Sequence, residues 1–298
     1  MSSLNQPKEW QIALILSGGV LAIATSAVLV RLSMQATGAS GPGFSLVLAA
    51  SRLTLAAIVL LPNWHRQTPS PTALRYALTA GVALAIHFAT WITSLSYTTI
   101  AASTTIVTTN PVWIAVLSWV WYGEKPSPQT GLGISIALAG GLVIGLGGAG
   151  TSPDAAPLLG NSLALVGAWA ASLYFLLGRE AQQQGLSISG YATIAYSTAA
   201  IVLLPLPLLV GTSYTGYPLE TYGYIALMAL LPQLIGHTSL NWAVRWVSPT
   251  LVALVVLFEP VASSLFGYVL FDELPGLPVL GGGLLLLIGV AIAAVSRR

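Results

Sequence analysis

Apolar residues follow one another in long runs along almost the whole chain, and most charged residues stand in the short stretches between these runs. An α-helix needs roughly 20 apolar residues to cross a bilayer core about 30 Å thick. Dividing the chain at its charges, prolines and polar clusters yields ten such runs, at residues 10–33, 43–62, 73–95, 101–121, 128–148, 158–178, 188–210, 221–241, 249–270 and 276–296. The runs do not alternate as barrel strands do. We therefore predict an all-α integral membrane protein with ten transmembrane helices.

The composition agrees with this prediction and narrows the chemistry. Of the 298 residues, 55% are hydrophobic and 6% are charged, and the mean hydropathy is +0.84. A soluble domain carries about 25% charged residues. The chain has no cysteine, which excludes disulfides, thiolate metal sites and cysteine nucleophiles. The net charge of +2 is too small to indicate a nucleic-acid partner.

The positive charges are concentrated on one side of the predicted membrane. If the N-terminus is cytoplasmic, that side receives eight of the ten Lys and Arg residues, namely Lys8, Arg66, Arg75, Lys125, Arg179, Arg245, Arg297 and Arg298. The opposite side receives Arg31, Asp154, Glu220, Asp272 and Glu273. By the positive-inside rule we predict that both termini lie in the cytoplasm. The short loops between the spans favour a multi-pass protein of the cell (inner) membrane, with a eukaryotic plasma or organelle membrane as the alternative.

The two halves of the chain resemble each other at an offset of about 149 residues. At offsets of 148 or 149 the matching pairs are Arg31 with Arg179, Asn110-Pro111 with Glu259-Pro260, Glu124 with Glu273, Gly133 with Gly282, and Gly140 with Gly289. Residues 56–62 recur as the identical heptapeptide 199–205, at an offset of 143. Each half contains five spans, an odd number, so the second half enters the membrane in the opposite orientation. The sequence therefore predicts two inverted repeats, residues 1–149 and 150–298.

These repeated motifs resemble the EamA-like family of the drug/metabolite transporter superfamily over nearly the whole chain. The resemblance is carried by Trp169 to Arg179 after Gly160-Asn161, by the two proline turns followed by Gly123-Glu124 and Asp272-Glu273, and by the glycine-rich helices after them. It implies a ten-helix inner-membrane exporter of amino acids, other metabolites or drugs. It also implies a central cavity between the first, third and fourth helices of each half. The first helix departs from the family pattern, because only Thr25 and Ser26 stand where members often have a tryptophan.

Few polar side chains lie within the predicted spans, and each is costly there unless it meets a partner or water. Glu259 lies in the ninth span, where its carboxyl either carries a proton across the membrane or satisfies backbone groups that Pro260 frees. Asn110 occupies the equivalent place beside Pro111 and is predicted to bind the solute. The two prolines predict kinks that act as hinges in equivalent helices.

Two polar stripes are predicted to bind the solute. Gln233, His237 and Asn241 are spaced to share one face of the eighth helix, and His87 and Trp91 share a face of the third. The histidines either line a cavity or are hydrogen-bonded packing residues. With no close-spaced ligand pair, we expect no metal site.

Three further residues complete the predicted site. Arg52, in the second span, is interpreted either as structural or as a ligand for the carboxylate of a solute. Trp169 and Tyr174, in the sixth span, either pack against neighbouring helices or line the cavity.

The leading hypothesis is a secondary-active transporter that exports a small metabolite, such as an amino acid or an amphipathic amine, by alternating access, driven by a proton or solute gradient. No Walker motif is present, and we expect neither enzymatic activity nor a cofactor. The expected partners are a small solute, protons and the lipid bilayer, with a monomer or a homodimer as the assembly. The alternatives are an uncoupled facilitator and an intramembrane hydrolase using His87 or His237, although no G-x-S-x-G element opens a helix.

Overall fold

The computed structural model describes residues 7–62, 69–123, 125, 127–147, 156–243, 246 and 255–295. Within these ranges all regular secondary structure is helical: α1 (Glu9–Thr37), α2 (Pro42–Leu60), α3 (Pro71–Ser94), α4 (Ile100–Val107), α5 (Asn110–Tyr122), α6 (Pro128–Gly147), α7 (Pro157–Gln183), α8 (Ile188–Leu203), α9 (Leu206–Leu209), α10 (Leu219–Met228), a π-helical segment (Ala229–His237), α11 (Thr238–Ala243), α12 (Phe258–Phe271) and α13 (Leu277–Val295). Sequence features outside the described residues are Arg66, Glu124, Asp154, Arg245, Arg297, Arg298 and the boundary at residues 149 and 150, which stays a prediction.

These elements form the ten predicted membrane spans in the predicted order. Seven helical stretches are long and apolar enough to cross a bilayer, and three shorter apolar helices supply the fifth, ninth and tenth spans. The fourth span consists of α4 and α5, the seventh of α8 and α9, and the eighth of α10, the π-helical segment and α11. The prediction of an all-α membrane fold is confirmed.

Local sequence signals set where the helices begin and end. The hydroxyl groups of Ser70, Thr99 and Ser187 each accept the backbone N–H three residues later at 3.1 Å, which caps α3, α4 and α8. At their C-terminal ends α1 and α5 stop at Gly38 and Gly123, whose φ angles are 64° and 69°. Glycine adopts this left-handed conformation without a steric penalty, so both turns are well defined.

Prolines interrupt spans that hydropathy predicts as continuous helices. The fourth span breaks just before Pro111, and the seventh breaks at Pro205 because proline has no N–H to continue the helical ladder. The eighth span absorbs Pro232 within its π-helical segment. In the ninth span α12 begins at Phe258, after helical residues 255 and 256 and a turn at Leu257, so Glu259 lies in the first turn of α12.

Helix pairs that pack together in one arrangement have an equivalent pair when each helix is replaced by its counterpart in the other repeat. The third span packs along α7, and the equivalent pair, the eighth span and α1, packs in the same way. The α4–α7 contact likewise has its counterpart in the contact of α12 with α1. The pairs α2–α8, α4–α12 and α6–α13 join each element to its own equivalent. A two-fold relation between the repeats accounts for this whole pattern.

The seam between α6 and α13 shows that equivalent helices run in opposite directions. A Cβ atom added to Gly140 would lie 2.5 Å from the carbonyl oxygen of Gly282, and one added to Gly289 would lie 2.6 Å from that of Gly133. The partner's residue number falls as the number on α6 rises, which requires antiparallel helices. Glycine at these positions lets the two backbones approach closely. The inverted repeat predicted from the sequence is therefore present.

Candidate functional site

Arg52 lies at the centre of the molecule, where four spans meet. This α2 side chain has 0% relative exposure. Its Nη1 donates to Ser26 Oγ at 2.8 Å, and its Nη2 donates to Gln233 Oε1 at 3.0 Å. The guanidinium carbon lies 4.2 Å from the centre of the Phe88 ring, which is a cation–π distance. Arg52 thus joins α1, α2, α3 and the π-helical segment.

The guanidinium charge is held without an ion pair. Within the ranges that the structure describes, no carboxylate oxygen lies within 4.0 Å of Arg52. Glu259 and Tyr196 lie close enough to interact with its charge electrostatically. A buried charge with only neutral partners is costly and is retained where it serves binding, transport or gating.

A layer of rings covers one side of Arg52. The Phe88 ring meets the His237 ring edge-on at a centroid distance of 6.1 Å, and the His87 ring lies parallel to that of Trp91 at 6.1 Å. His87 Nδ1 lies 2.9 Å from the carbonyl oxygen of Gly167. Because a carbonyl only accepts, Nδ1 carries the proton in this bond and Nε2 is left as the free ring position. His87 therefore both joins α3 to α7 and belongs to the central ring layer.

Several hydrogen-bond donors around this layer have no partner. They are Nε of Arg52, Nε2 of Gln233, Nε1 of Trp91 and the hydroxyl groups of Tyr174 and Tyr196, all buried and unbonded among the described residues. Native structures leave few buried donors unpaired, and such groups call for a bound water, ion or ligand. We name these five residues, with Ser26, Phe88, His87, His237 and Glu259, the central cluster.

Tyr174 extends the central cluster towards Asn241. Its carbonyl oxygen accepts the Tyr191 hydroxyl at 2.9 Å, and the two rings lie 5.5 Å apart. Its own hydroxyl faces Tyr196 and Asn241. The predicted residues Tyr174 and Asn241 therefore lie beside Tyr196, a tyrosine that the sequence analysis did not single out.

Asn110 and Glu259 occupy equivalent positions but differ in their partners. With its amide nitrogen facing the backbone, Asn110 donates to the carbonyl oxygens of Val107 at 2.8 Å and Ala168 at 3.1 Å. Val107 is the residue whose carbonyl loses its helical partner because of Pro111. Glu259, next to Pro260, is 8% exposed and makes no ion pair within the described residues.

Trp169 lies apart from the central cluster. It is 42% exposed, and its ring meets Trp113 at a centroid distance of 5.2 Å. Trp113 in turn donates from Nε1 to Thr109 Oγ1 at 2.9 Å. The aromatic pair thus packs around the break before Pro111.

Phe88, Tyr196 and Ser26 are the residues that sequence reasoning missed or undervalued. Phe88 is apolar and hence gives no signal in a helix, although it immediately follows His87. Tyr196 is a hydroxyl-bearing residue deep within a span, which polarity alone could have identified. In the part of the chain that the structure describes, no group of three His, Asp or Glu side chains is placed to hold a metal ion.

A second polar contact lies where the ends of α1 and α12 meet the start of α4. Glu273, at the end of α12, accepts the backbone N–H of Ile100 through Oε1 at 2.8 Å. Arg31 Nη2 lies 3.8 Å from the same oxygen and donates to the carbonyl of Thr98 at 3.0 Å. We name this contact the Arg31–Glu273 latch. Its counterpart position in the other repeat, Arg179, is exposed.

Comparison with known proteins gives a consistent result. Residues 10–146 and 158–295 each match the EamA-like transporter family. An uncharacterized transporter of Archaeoglobus fulgidus is 21% identical over 96% of this chain and 98% of its own length, and another from that organism is 26% identical over 92% and 96%. The uncharacterized transporter YyaM of Bacillus subtilis is 23% identical over 83% of each chain. A solved crystal structure at 20% identity shares the fold, with a TM-score of 0.62 over 98% of this chain and 100% of that one.

Proposed function

The chain belongs to the EamA-like transporter family and is a membrane transporter, and from this premise we propose that it is a secondary-active carrier. In this proposal it exports a small metabolite, such as an amino acid or an amphipathic amine, by alternating access. Its membrane is the cell (inner) membrane with both termini in the cytoplasm. The observation that carries the proposal is the central cluster, in which unpaired donors from both repeats surround a buried charge.

The burial of the central cluster favours a carrier over a channel. Arg52 and Gln233 are 0% exposed, and Glu259 and His87 are each 8% exposed. A channel keeps a continuous polar path open, whereas a carrier encloses its site between two gates. The site lies where the two repeats meet, which is where relative movement of the repeats changes its access.

Proton movement through Glu259 is the proposed source of energy. Its carboxyl is buried at the start of α12, in the electrostatic reach of Arg52. A protonatable group at a site with alternating access can take up a proton from one side and release it to the other. The absence of a Walker motif from the sequence leaves a solute or ion gradient as the driving force.

The test uses purified protein in liposomes that contain a pH-sensitive dye. Pooled amino acids, amines, nucleosides and sugars are applied to wild-type protein and to Glu259→Gln, with Glu9→Gln as the control because Glu9 is an exposed glutamate on α1. We expect a saturable, solute-dependent pH change in the wild type and in Glu9→Gln, and at least a ten-fold smaller signal in Glu259→Gln.

The other outcomes are equally informative. Saturable exchange without any pH change retains the carrier and removes the coupling role of Glu259. Flux that neither saturates nor shows counterflow, and that is the same in Glu259→Gln, identifies an uncoupled facilitator and overturns the proposed mechanism.

A further inference from the structure

Among the described residues Arg52 makes no ion pair. Its two hydrogen bonds go to neutral groups, the Ser26 hydroxyl and the Gln233 amide oxygen. A guanidinium has five N–H donors, and Nε of Arg52 is buried without a partner. Glu259 lies beyond ion-pair distance. The face of the Phe88 ring supplies only the partial negative charge of its π-system.

Other members of the central cluster are unbonded donors as well. Because a guanidinium can only donate, Gln233 must turn Oε1 towards Arg52, and its Nε2 is a buried donor without a hydrogen bond among the described residues. Trp91 Nε1 and the Tyr196 hydroxyl are also buried and unbonded. Donors that surround a positive charge bind a group that is negative and rich in acceptors. A cationic head group would add positive charge and leave every one of these donors unpaired.

We propose that the transported solute is an organic anion whose carboxylate binds Arg52, and that an amino group on the solute is not required. This inference rests on the proposed carrier function and specifies its substrate class. A carboxylate has about four lone-pair sites, which suffice for the free donors of Arg52, Gln233 and Tyr196. The rings of Phe88 and Trp91 offer an apolar wall to the remainder of the solute.

The first test needs no variant and compares head groups on a common skeleton. L-phenylalanine, 3-phenylpropionate and phenethylamine share an apolar part and differ in carrying both charged groups, the carboxylate alone or the amine alone. Leucine, 4-methylpentanoate and 3-methylbutylamine form a matched aliphatic set. Binding is measured as the rise in the unfolding temperature of the purified protein with ligand concentration. We expect the carboxylate-bearing members of at least one set to stabilise the protein and the amines to have no effect.

The second test removes the guanidinium. Arg52→Lys keeps the charge but loses the fork that a carboxylate needs, and Arg52→Gln loses both. We expect the Kd of the stabilising carboxylates to rise about ten-fold to a hundred-fold in either variant, as the loss of a charge-assisted hydrogen bond predicts. Arg75→Gln makes the same substitution at an exposed arginine and should leave the Kd unchanged.

Counterflow in liposomes separates the two proposals. Saturable counterflow of the amines, or of uncharged solutes alone, leaves the carrier function standing and overturns the anion inference. Carboxylate binding that is unchanged in Arg52→Gln also overturns it. If no solute of either matched set or of the pooled classes shows saturable counterflow, the carrier function itself is wrong.

Discussion

At the scale of single residues, Asn110 and Glu259 occupy equivalent positions before a proline but differ in what their side chains can donate. The Asn110 amide donates to the Val107 carbonyl, which Pro111 deprives of its helical partner. The carbonyl of Val256 loses its partner to Pro260 in the same way, but an ionised Glu259 cannot donate to it. A protonated carboxyl or a glutamine can. The substitution Glu259→Gln therefore removes titration while retaining the donor, so we expect that variant to fold.

Asn110→Leu tests whether the hydrogen bonds of the Asn110 amide stabilise the fold. Leucine fills a similar volume but leaves the carbonyl groups of Val107 and Ala168 without the amide donor. We expect the free energy of unfolding to fall by about 1–3 kcal/mol, the usual cost of an unsatisfied buried polar group. Thermal unfolding in detergent measures the change, with Gln184→Leu at an exposed amide as the control. Equal unfolding temperatures for the two variants would contradict the role given to Asn110.

At the scale of helices, hydropathy and glycine spacing predict the spans and their order, but not their interruptions. Length and polarity decide whether a segment crosses the membrane. The π-helical segment around Pro232 and the break at Pro205 depend instead on which carbonyl finds a donor. In the candidate site, too, the sequence predicts which residues take part but not how they contact one another. Polarity identified Arg52 and Gln233, whereas their hydrogen bond spans 181 positions of sequence and needed the packed fold.

The seam between α6 and α13 makes a prediction at this scale. A Cβ atom on Gly282 would lie 2.7 Å from the Gly140 carbonyl oxygen, and backbone atoms cannot move aside as a flexible side chain can. We expect Gly282→Ala to lower the free energy of unfolding by about 1–3 kcal/mol, as overpacking does. The adjacent Gly281 has open space around it, so Gly281→Ala should leave stability unchanged or raise it slightly. Thermal unfolding of both variants in one detergent decides the matter. A seam that tolerates both alanines equally would refute the close backbone contact.

At the scale of the whole molecule, the equivalent arginines Arg31 and Arg179 have different surroundings among the described residues. The Arg31–Glu273 latch joins α1, α4 and α12 at one end. At the other end Arg179 is exposed. Two related repeats in unlike arrangements are the condition for alternating access, because exchanging the two arrangements reverses which end is closed. We expect the latch to close the end that the positive-inside rule assigns to the outside.

Glu273→Gln should weaken this closure. The glutamine still accepts the N–H of Ile100 but loses the charge that faces Arg31. Loss of a partly buried ion pair is worth about 1 kcal/mol, or roughly a five-fold shift in population. Since the native chain has no cysteine, Ser103→Cys provides a single buried thiol one turn along α4 from the latch. We expect thiol reagents to label it about five-fold faster in the Glu273→Gln background.

The control for the latch is its neighbour. Asp272 is exposed and adopts a φ of 53°, a conformation that asparagine also accepts. Asp272→Asn therefore removes a negative charge beside the latch without touching Arg31. Equal labelling rates in the two backgrounds would mean that general charge, and not the ion pair, governs access.

The glycine seam between α6 and α13 follows the symmetry of the two repeats, whereas the buried charge does not. Exchanging the repeats turns the Gly140–Gly282 contact into the Gly289–Gly133 contact, so the seam is complementary to itself. One repeat inserted into a membrane in both orientations would carry everything that this interface needs. At the centre of the molecule this symmetry ends. The heptapeptide repeat aligns Arg52 with Ala195. The scaffold is a duplicate, whereas the charge at its centre exists once.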